Sequence, residues 1–185
     1  VVFRMKKLII TFIILLSGMQ LYAIEVSKKK IEFFVEHTTK NVTGVCNEIK
    51  MGNPNLQGSN GKYNLKSPFE IKIPILKIST GDSNRDSHMQ EILGYPDTPF
   101  VQVKIESILP SKTNEQNYTI KGKLMIHGNT RDFSTDANVK VLESGEFQVD
   151  GVVVVKFSEF ELENPSLLFM KAKDEIQVRY HFEFK

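Results

Sequence analysis

Between Asp82 and His88 the chain reads Asp-Ser-Asn-Arg-Asp-Ser-His, two carboxylates, a guanidinium and an imidazole within one short polar stretch. Groups of these types can do acid–base work or hold a metal ion. Neither pattern is complete here. No nucleophile with an orienting base accompanies Asp82, Arg85, Asp86 and His88, and there is no His-Glu-x-x-His or comparable ligand spacing. The same residues suit a structural knot instead. Asp82 or Ser83 can cap a helix, and Arg85 can brace the carboxylates with charge-assisted hydrogen bonds. We expect these four residues to hold the fold together, with no catalytic residue, no cofactor and no metal.

The other reactive side chains are few. Cys46 is the only cysteine, so no intrachain disulfide can form. It lies in the apolar alternation "VTGVCNEI" with no His or Lys pattern to activate it, which reads as a buried, inert thiol. His37 shares a face with Phe33 and Val35 and points inward. It is then either a hydrogen-bonded core histidine or a polar contact for a ligand head group. His127, just before Gly128 at a strand end, is expected to pin a turn, and His181, on a polar face, to be solvated. Asn41-Val42-Thr43 and Asn117-Tyr118-Thr119 match the glycosylation sequon but carry little weight beside the bacterial-looking export signal described below.

These side chains are positioned by strands. "IEFFVEH" sets Ile31, Phe33, Val35 and His37 against Glu32, Phe34 and Glu36. "FEIKIPI" sets Phe69, Ile71, Ile73 and Ile75 against Glu70, Lys72 and Pro74, and "VQVKIESI" sets Val101, Val103 and Ile105 against Gln102, Lys104 and Glu106. "YTIKGKLMIHG" alternates through Tyr118, Ile120, Gly122, Leu124 and Ile126. "DEIQVRYHFEFK" alternates through Ile176, Val178, Tyr180, Phe182 and Phe184. Period-two patterns rich in β-branched and aromatic residues mark half-buried antiparallel strands. "GVVVVKF" (151–157) is apolar on both faces, as under a covering element or along a packed barrel wall. Residues 51–64 and 110–117, dense in Gly, Asn and Pro or wholly polar, read as loops.

One short helix is expected near residues 84–93. Met89, Ile92 and Leu93 form an apolar stripe, Gly94 ends it and Pro96 follows. It reads as a plug or lid on the strands. About eight such strands make a sandwich or an up-and-down barrel, and a water-soluble barrel must turn its apolar faces inward.

Residues 1–23 stand apart. From a start at Met5, a basic opening (Lys6, Lys7), an apolar run from Leu8 to Leu16 and Ala23 before the expected cut form a secretory signal peptide. Residues 24–185 are then the single mature domain. The chain has 24 basic and 22 acidic residues, and residues 1–23 contain Arg4, Lys6 and Lys7 but no acid. The mature part is therefore 21 against 22, close to neutral, with both signs scattered and no basic stripe for nucleic acid.

Five segments in order resemble the YceI-like family of exported bacterial polyisoprenoid-binding proteins. "IEFFVEHTTKNVTG" is similar to its opening strand and following Val-x-Gly. "ISTGDSNRDSHMQEILGYPDTPFVQV" is similar to its central signature, and "YTIKGKLMIHGNTR", "KFSEFEL" and "KDEIQVRYHFEF" resemble its later strands. The likeness spans about residues 27–184. Ser79 stands where Asp is common, Met89 where Leu is, Glu161 replaces a glycine, and Cys46 takes a place often held by an aromatic, which is expected to alter the pocket's shape.

The resemblance implies an extended, lipocalin-like antiparallel β-barrel of about eight strands. It also implies a periplasmic location, no enzymatic activity, and an isoprenoid-type lipid or quinone in an apolar lumen. The lumen wall would then be drawn from Phe33, Val35 and His37; Ile73; Val101, Val103 and Ile105; Ile120, Leu124 and Ile126; Phe160; and Ile176, Val178 and Tyr180. On sequence alone each of these could equally be packed core. A homodimer, an envelope-stress or interaction protein without a ligand, and a small outer-membrane β-barrel stay open beside the carrier.

Overall fold

The computed structural model describes residues 25–59, 62–112, 114, 116–142, 146–165 and 172–185. The export segment expected over residues 1–23 lies outside them. Among the described residues there are eleven strands and one α-helix. In chain order they are β1 (Val26–His37), β2 (Val42–Cys46), β3 (Lys50–Met51), β4 (Asn55–Ser59), β5 (Lys62–Ser67), β6 (Phe69–Pro74), α1 (Ser83–Ile92), β7 (Phe100–Pro110), β8 (Asn117–Ile126), β9 (Asn129–Val141), β10 (Phe147–Lys156) and β11 (Ala172–Phe184). Single 3₁₀ turns occupy Ile75–Lys77 and Ser158–Phe160.

Nine strands form one antiparallel sheet in the order β2-β1-β11-β10-β9-β8-β7-β6-β3. The two edges, β2 and β3, are successive pieces of a single run, Val42–Met51. Its first half pairs with β1 and its second with β6. The sheet thus curls until one stretch of chain serves both edges, and β2 and β3 fill one strand position between them. The expected lipocalin-like all-β architecture is the one found, with nine strands in the main sheet where about eight were expected. Covering the edges in this way removes the unpaired backbone that an open sheet exposes.

Local chemistry sets the turns. β8 and β9 join through His127 and Gly128, both at positive φ (48° and 79°), the two-residue hairpin geometry that matches strand twist. His127 therefore sits in the turn, as its place before a glycine suggested. Asp82 caps α1, its Oδ1 accepting from the Arg85 backbone N–H at 3.0 Å. Gly94 at φ 88° ends the helix, and the His127 ring packs where a β-carbon on that glycine would lie.

One expectation needs correction, one strand was not anticipated, and one pair of alternatives is decided for the barrel wall. The 51–64 stretch is largely a hairpin, β4–β5, with Leu56 opposite Leu65. One apolar pair among Asn, Gly and Lys is too weak an alternation to show as strands. β9 has no apolar run because its inward positions are Phe133, Thr135, Ala137 and Val139, with Ser134, Asp136 and Asn138 outside. The valines of 151–157 lie under no covering element among the described residues. Val153 and Val155 face inward, while Val152 and Val154 stand 46 % and 53 % exposed on the outer surface.

A close backbone approach within the main sheet falls at Gly122, opposite Ile105 where β7 has a register shift before Ser107. A β-carbon there would collide with the Lys104 carbonyl oxygen, which is backbone and cannot swing aside. Gly122→Ala is expected to lower stability by about 1–3 kcal/mol, read as a shift of the urea midpoint. An unshifted midpoint would show that the β7–β8 contact is looser than this geometry.

Candidate functional site

Alternation along the curled sheet sends one side of every strand into a common interior. That interior is a cavity of about 2110 Å³, more than twice the upper end of the roughly 300–1,000 Å³ of ordinary small-molecule pockets. It has two ends, one where β1 begins and β11 finishes (Val26 opposite Phe184), the other where β1 finishes and β11 begins (His37 opposite Ala172). Aromatic rings crowd the first. Phe147 stacks on Phe184 with centroids 4.8 Å apart, and Phe182 lies 6.1 Å from Tyr180 and 6.4 Å from Phe184. At the second, Phe157 and Leu162 line the cavity beside Val155 and Ala172.

Of the side chains proposed for the lumen wall, all but one line this cavity. Phe33, Val35 and His37 do so from β1, Ile73 from β6, Val101, Val103 and Ile105 from β7, Ile120, Leu124 and Ile126 from β8, and Ile176, Val178 and Tyr180 from β11. Phe160 does not. It is 2 % exposed and packs behind the wall with Ile126, Val155 and Leu162, because its 3₁₀ turn tucks beneath the barrel end. Cys46 also stays out of the lining. It is buried in the core with Ile49, and burial pushes its thiol pKa up, so it neither shapes the pocket nor offers a thiolate.

The sequence reading missed part of the wall. Phe133 and Val139 on β9, Phe147 and Val149 on β10, and Ile108 beyond the β7 register shift all face the cavity. A period-two scan from Phe133 to Val141 would have found the first pair. Nothing local announces a β-bulge. Met89, Ile92 and Leu93 of the helical stripe line the cavity as well, so α1 lies on it as a lid with its greasy side down.

Polar groups gather at the rims. His37, Thr39, Lys40, Asn84, Arg85 and His88 border the cavity from the β1–β2 turn and α1, and Lys62, Lys66 and Lys185 border it from β4–β5 and the chain end. His37 takes the rim position between the two alternatives, with Nδ1 3.1 Å from the Thr39 hydroxyl. Asp82 is the single acidic side chain in the lining among the described residues, and it is engaged as the helix cap.

The opening motif is a knot centred on Thr80 rather than on a direct Arg–carboxylate pair. Asp86 Oδ1 accepts from the Thr80 N–H at 2.7 Å and from its hydroxyl, and Oδ2 accepts from the Ser79 hydroxyl at 3.1 Å. Arg85 Nε donates to Thr80 Oγ1 at 2.9 Å and Nη2 to the Thr80 carbonyl at 3.1 Å. The guanidinium thus reaches the carboxylate through a hydroxyl. Partial burial alone would raise the Asp86 pKa, but the bonds from Thr80 and Ser79, with the Arg85 charge, outweigh it and hold the carboxyl below its usual range. Asp86 does not line the cavity, and His88 stands outside the knot with a half-exposed ring 3.9 Å from Glu91.

His181 is not simply solvated. Its Nδ1 lies 2.7 Å from Asp150 and its Nε2 2.9 Å from Glu183, which also pairs with Lys28 at 2.9 Å. Hydrogen bonds to the two carboxylates raise its pKa. This bridge ties β10, β11 and β1 together on the outer face. Among the described residues no group of three or more His, Cys, Asp or Glu could hold a metal ion, and no helix is long and apolar enough to cross a membrane.

A family model of the YceI-like domain matches residues 22–184. No curated protein matches the chain. Among solved structures it is similar to Burkholderia cenocepacia BcnA, with TM-score 0.68 and 15 % identity over 84 % of this chain and 95 % of that one. It is similar too to a polyisoprenoid binding domain from Saccharophagus degradans implicated in plant cell wall breakdown (TM-score 0.62, 13 % identity, 88 % and 98 % covered). The Campylobacter jejuni YceI protein gives TM-score 0.61 at 18 % identity, with 79 % and 85 % covered. At these identities the likeness is one of fold.

Asp86→Ala is expected to cost about 1–3 kcal/mol at neutral pH, since it orphans Thr80 and Ser79 donors. Because the folded pKa is depressed, the wild-type contribution is present above the unfolded carboxyl pKa and lost as pH falls through the folded value. Denaturation followed from pH 7 to pH 2 should therefore show wild type and Asp86→Ala converging in acid. His88→Ala should stay within about 0.5 kcal/mol of wild type. Equal losses from both would place His88 in the knot.

Proposed function

The chain belongs to the YceI-like family, and we propose that it is a non-enzymatic carrier that holds an isoprenoid-type lipid, of the polyprenyl or quinone class, in its barrel lumen. The observation that carries this is the cavity itself. Its middle is walled by Ile, Val, Leu and Phe from strands on every side, and its volume suits a long apolar chain. Each Å² of apolar surface taken from water there contributes about 25 cal/mol, so several prenyl units offset the packing an open interior forgoes. The polyisoprenoid-binding domain among its structural neighbours supports the same ligand class.

The orientation of the strands argues against an outer-membrane barrel, which needs apolar side chains outside and polar ones within. Here Lys28, Lys104, Lys121, Lys123 and Arg179 are on the outer face and the apolar residues are inside. A non-enzymatic role fits the opening motif, whose Asp86 and Arg85 are occupied with Thr80. Work in the periplasm is supported by the signal-like residues 1–23. The cavity is formed within one chain, so carriage requires no second copy.

Protein purified without harsh detergent, then extracted with organic solvent and analysed by mass spectrometry, should release a prenyl lipid at close to one per chain. Val103→Trp, which puts an indole into mid-lumen, should cut that load about tenfold while the protein still folds. Extracts empty from several expression hosts, or a lipid load untouched by Val103→Trp, would remove the carrier reading.

A further inference from the structure

The lumen wall is mostly apolar along its middle, and its few polar side chains include Tyr118, Thr135 and Tyr180. Across the sheet, Ile31, Tyr180, Gly151, Ala137 and Tyr118 stand side by side on β1, β11, β10, β9 and β8. The small pair at the centre makes room for a large neighbour. The Tyr180 ring lies down over Gly151, so that a β-carbon there would collide with its hydroxyl and ring carbons. This carries the hydroxyl across β10 toward Thr135 on β9, and Tyr180 and Thr135 both line the cavity. Tyr180 lies four positions before Phe184 at the aromatic end, roughly 13 Å along the strand.

The Tyr180 hydroxyl is buried without a hydrogen-bond partner among the described residues. Such an atom costs about 1–3 kcal/mol and calls for a reason. Thr135 does not supply the bond. The Thr135 hydroxyl lies near enough to temper the Tyr180 pKa but outside hydrogen-bond geometry with it, and its own proton goes to the Val152 carbonyl at 2.7 Å; burial still pushes the Tyr180 value up to about 12. Tyr180 is therefore protonated at any physiological pH and has a hydroxyl proton to give. Because Tyr180 lines the cavity, a turn of its ring off Gly151 would bring the hydroxyl to the lumen.

We propose that Tyr180 is a hydrogen-bonding station within the lumen that donates to a neutral oxygen of the bound lipid, a carbonyl, hydroxyl or ether, part-way along the apolar wall. The proposal rests on the carrier reading and narrows it. A lipid held this way carries its oxygen inside the barrel rather than at the cationic groups of the rim, such as Lys40 and Lys66. A hydroxyl on an oily wall also selects against a bare hydrocarbon, which leaves the donor unpaired.

The binding test uses two probes on delipidated protein comprising residues 24–185, a long prenyl alcohol and the hydrocarbon of the same chain lacking the oxygen. Tyr180→Phe should weaken the alcohol roughly five- to tenfold, the worth of one hydrogen bond, and leave the hydrocarbon unchanged. Its urea midpoint should equal or exceed that of wild type, because an orphaned polar group has gone. In the wild-type protein the carbonyl stretch of a bound prenyl quinone should move to lower frequency, a readout that does not depend on the variant folding. Equal effects on both probes, no effect on either, or an unshifted carbonyl would overturn the station while leaving the carrier intact. Failure of wild type to take up either probe would bring down the carrier reading and the station with it.

Discussion

Everything in this molecule depends on the strict two-residue alternation of side chains along strands that curl round a common axis. Once Val35, Val103, Leu124 and Val178 face inward, their neighbours must face water, and Glu36, Lys104, Lys123 and Arg179 do. A sheet curled this far has a lumen its own side chains do not fill, and the cavity of about 2110 Å³ follows. The outer face is then free to knit the strands with charge, as in Lys123 with Asp132 at 2.6 Å or the Asp150–His181–Glu183 bridge. Such exposed pairs each contribute little. What they secure is register, because a one-residue slip would turn every apolar residue outward.

An open lumen leaves two weak places, and the structure manages both with local chemistry. The sheet edges are joined by the continuous run Val42–Met51, helped by the Val45–Ser79 bridge with backbone bonds of 2.9 and 3.0 Å. Beside that bridge the Thr80–Arg85–Asp86 knot sets the start of α1, and the helix lays Met89, Ile92 and Leu93 over the cavity. The motif that looked most like an active site is thus what places the lid. Its residues are polar because the chain must turn sharply there and satisfy backbone donors as it does so.

Much of this was legible in the residues. β1, β6, β7, β8 and β11 announce themselves by clean alternation, and the cap at Asp82 and stop at Gly94 fix the helix to within a residue or two. The wall residues on those strands could be named, although sequence alone could not separate a packed core from a cavity. The misses share a physical cause: alternation fails to show where the inward residue is small or polar, as at Thr135 and Ala137, or where a hairpin is held by one Leu pair. Phe160 was misplaced because a tight turn, unlike a strand, gives no period from which to read its facing. The orphaned hydroxyl of Tyr180 lies beyond sequence altogether, since it arises from a ring crossing a glycine on the neighbouring strand.

The central claim is that a lipid tail enters the lumen and touches the inward side chains only. Methyl-resolved nuclear magnetic resonance of residues 24–185, labelled at Ile, Val and Leu and titrated with a prenyl lipid, tests it most directly. Lumen methyls of Val103, Leu124, Ile126 and Val178 should shift together and saturate at one lipid per chain, while the outer Val152 and Val154 stay where they were. Shifts confined to Val152 and Val154, or none at any lumen methyl at saturating lipid, would contradict the account.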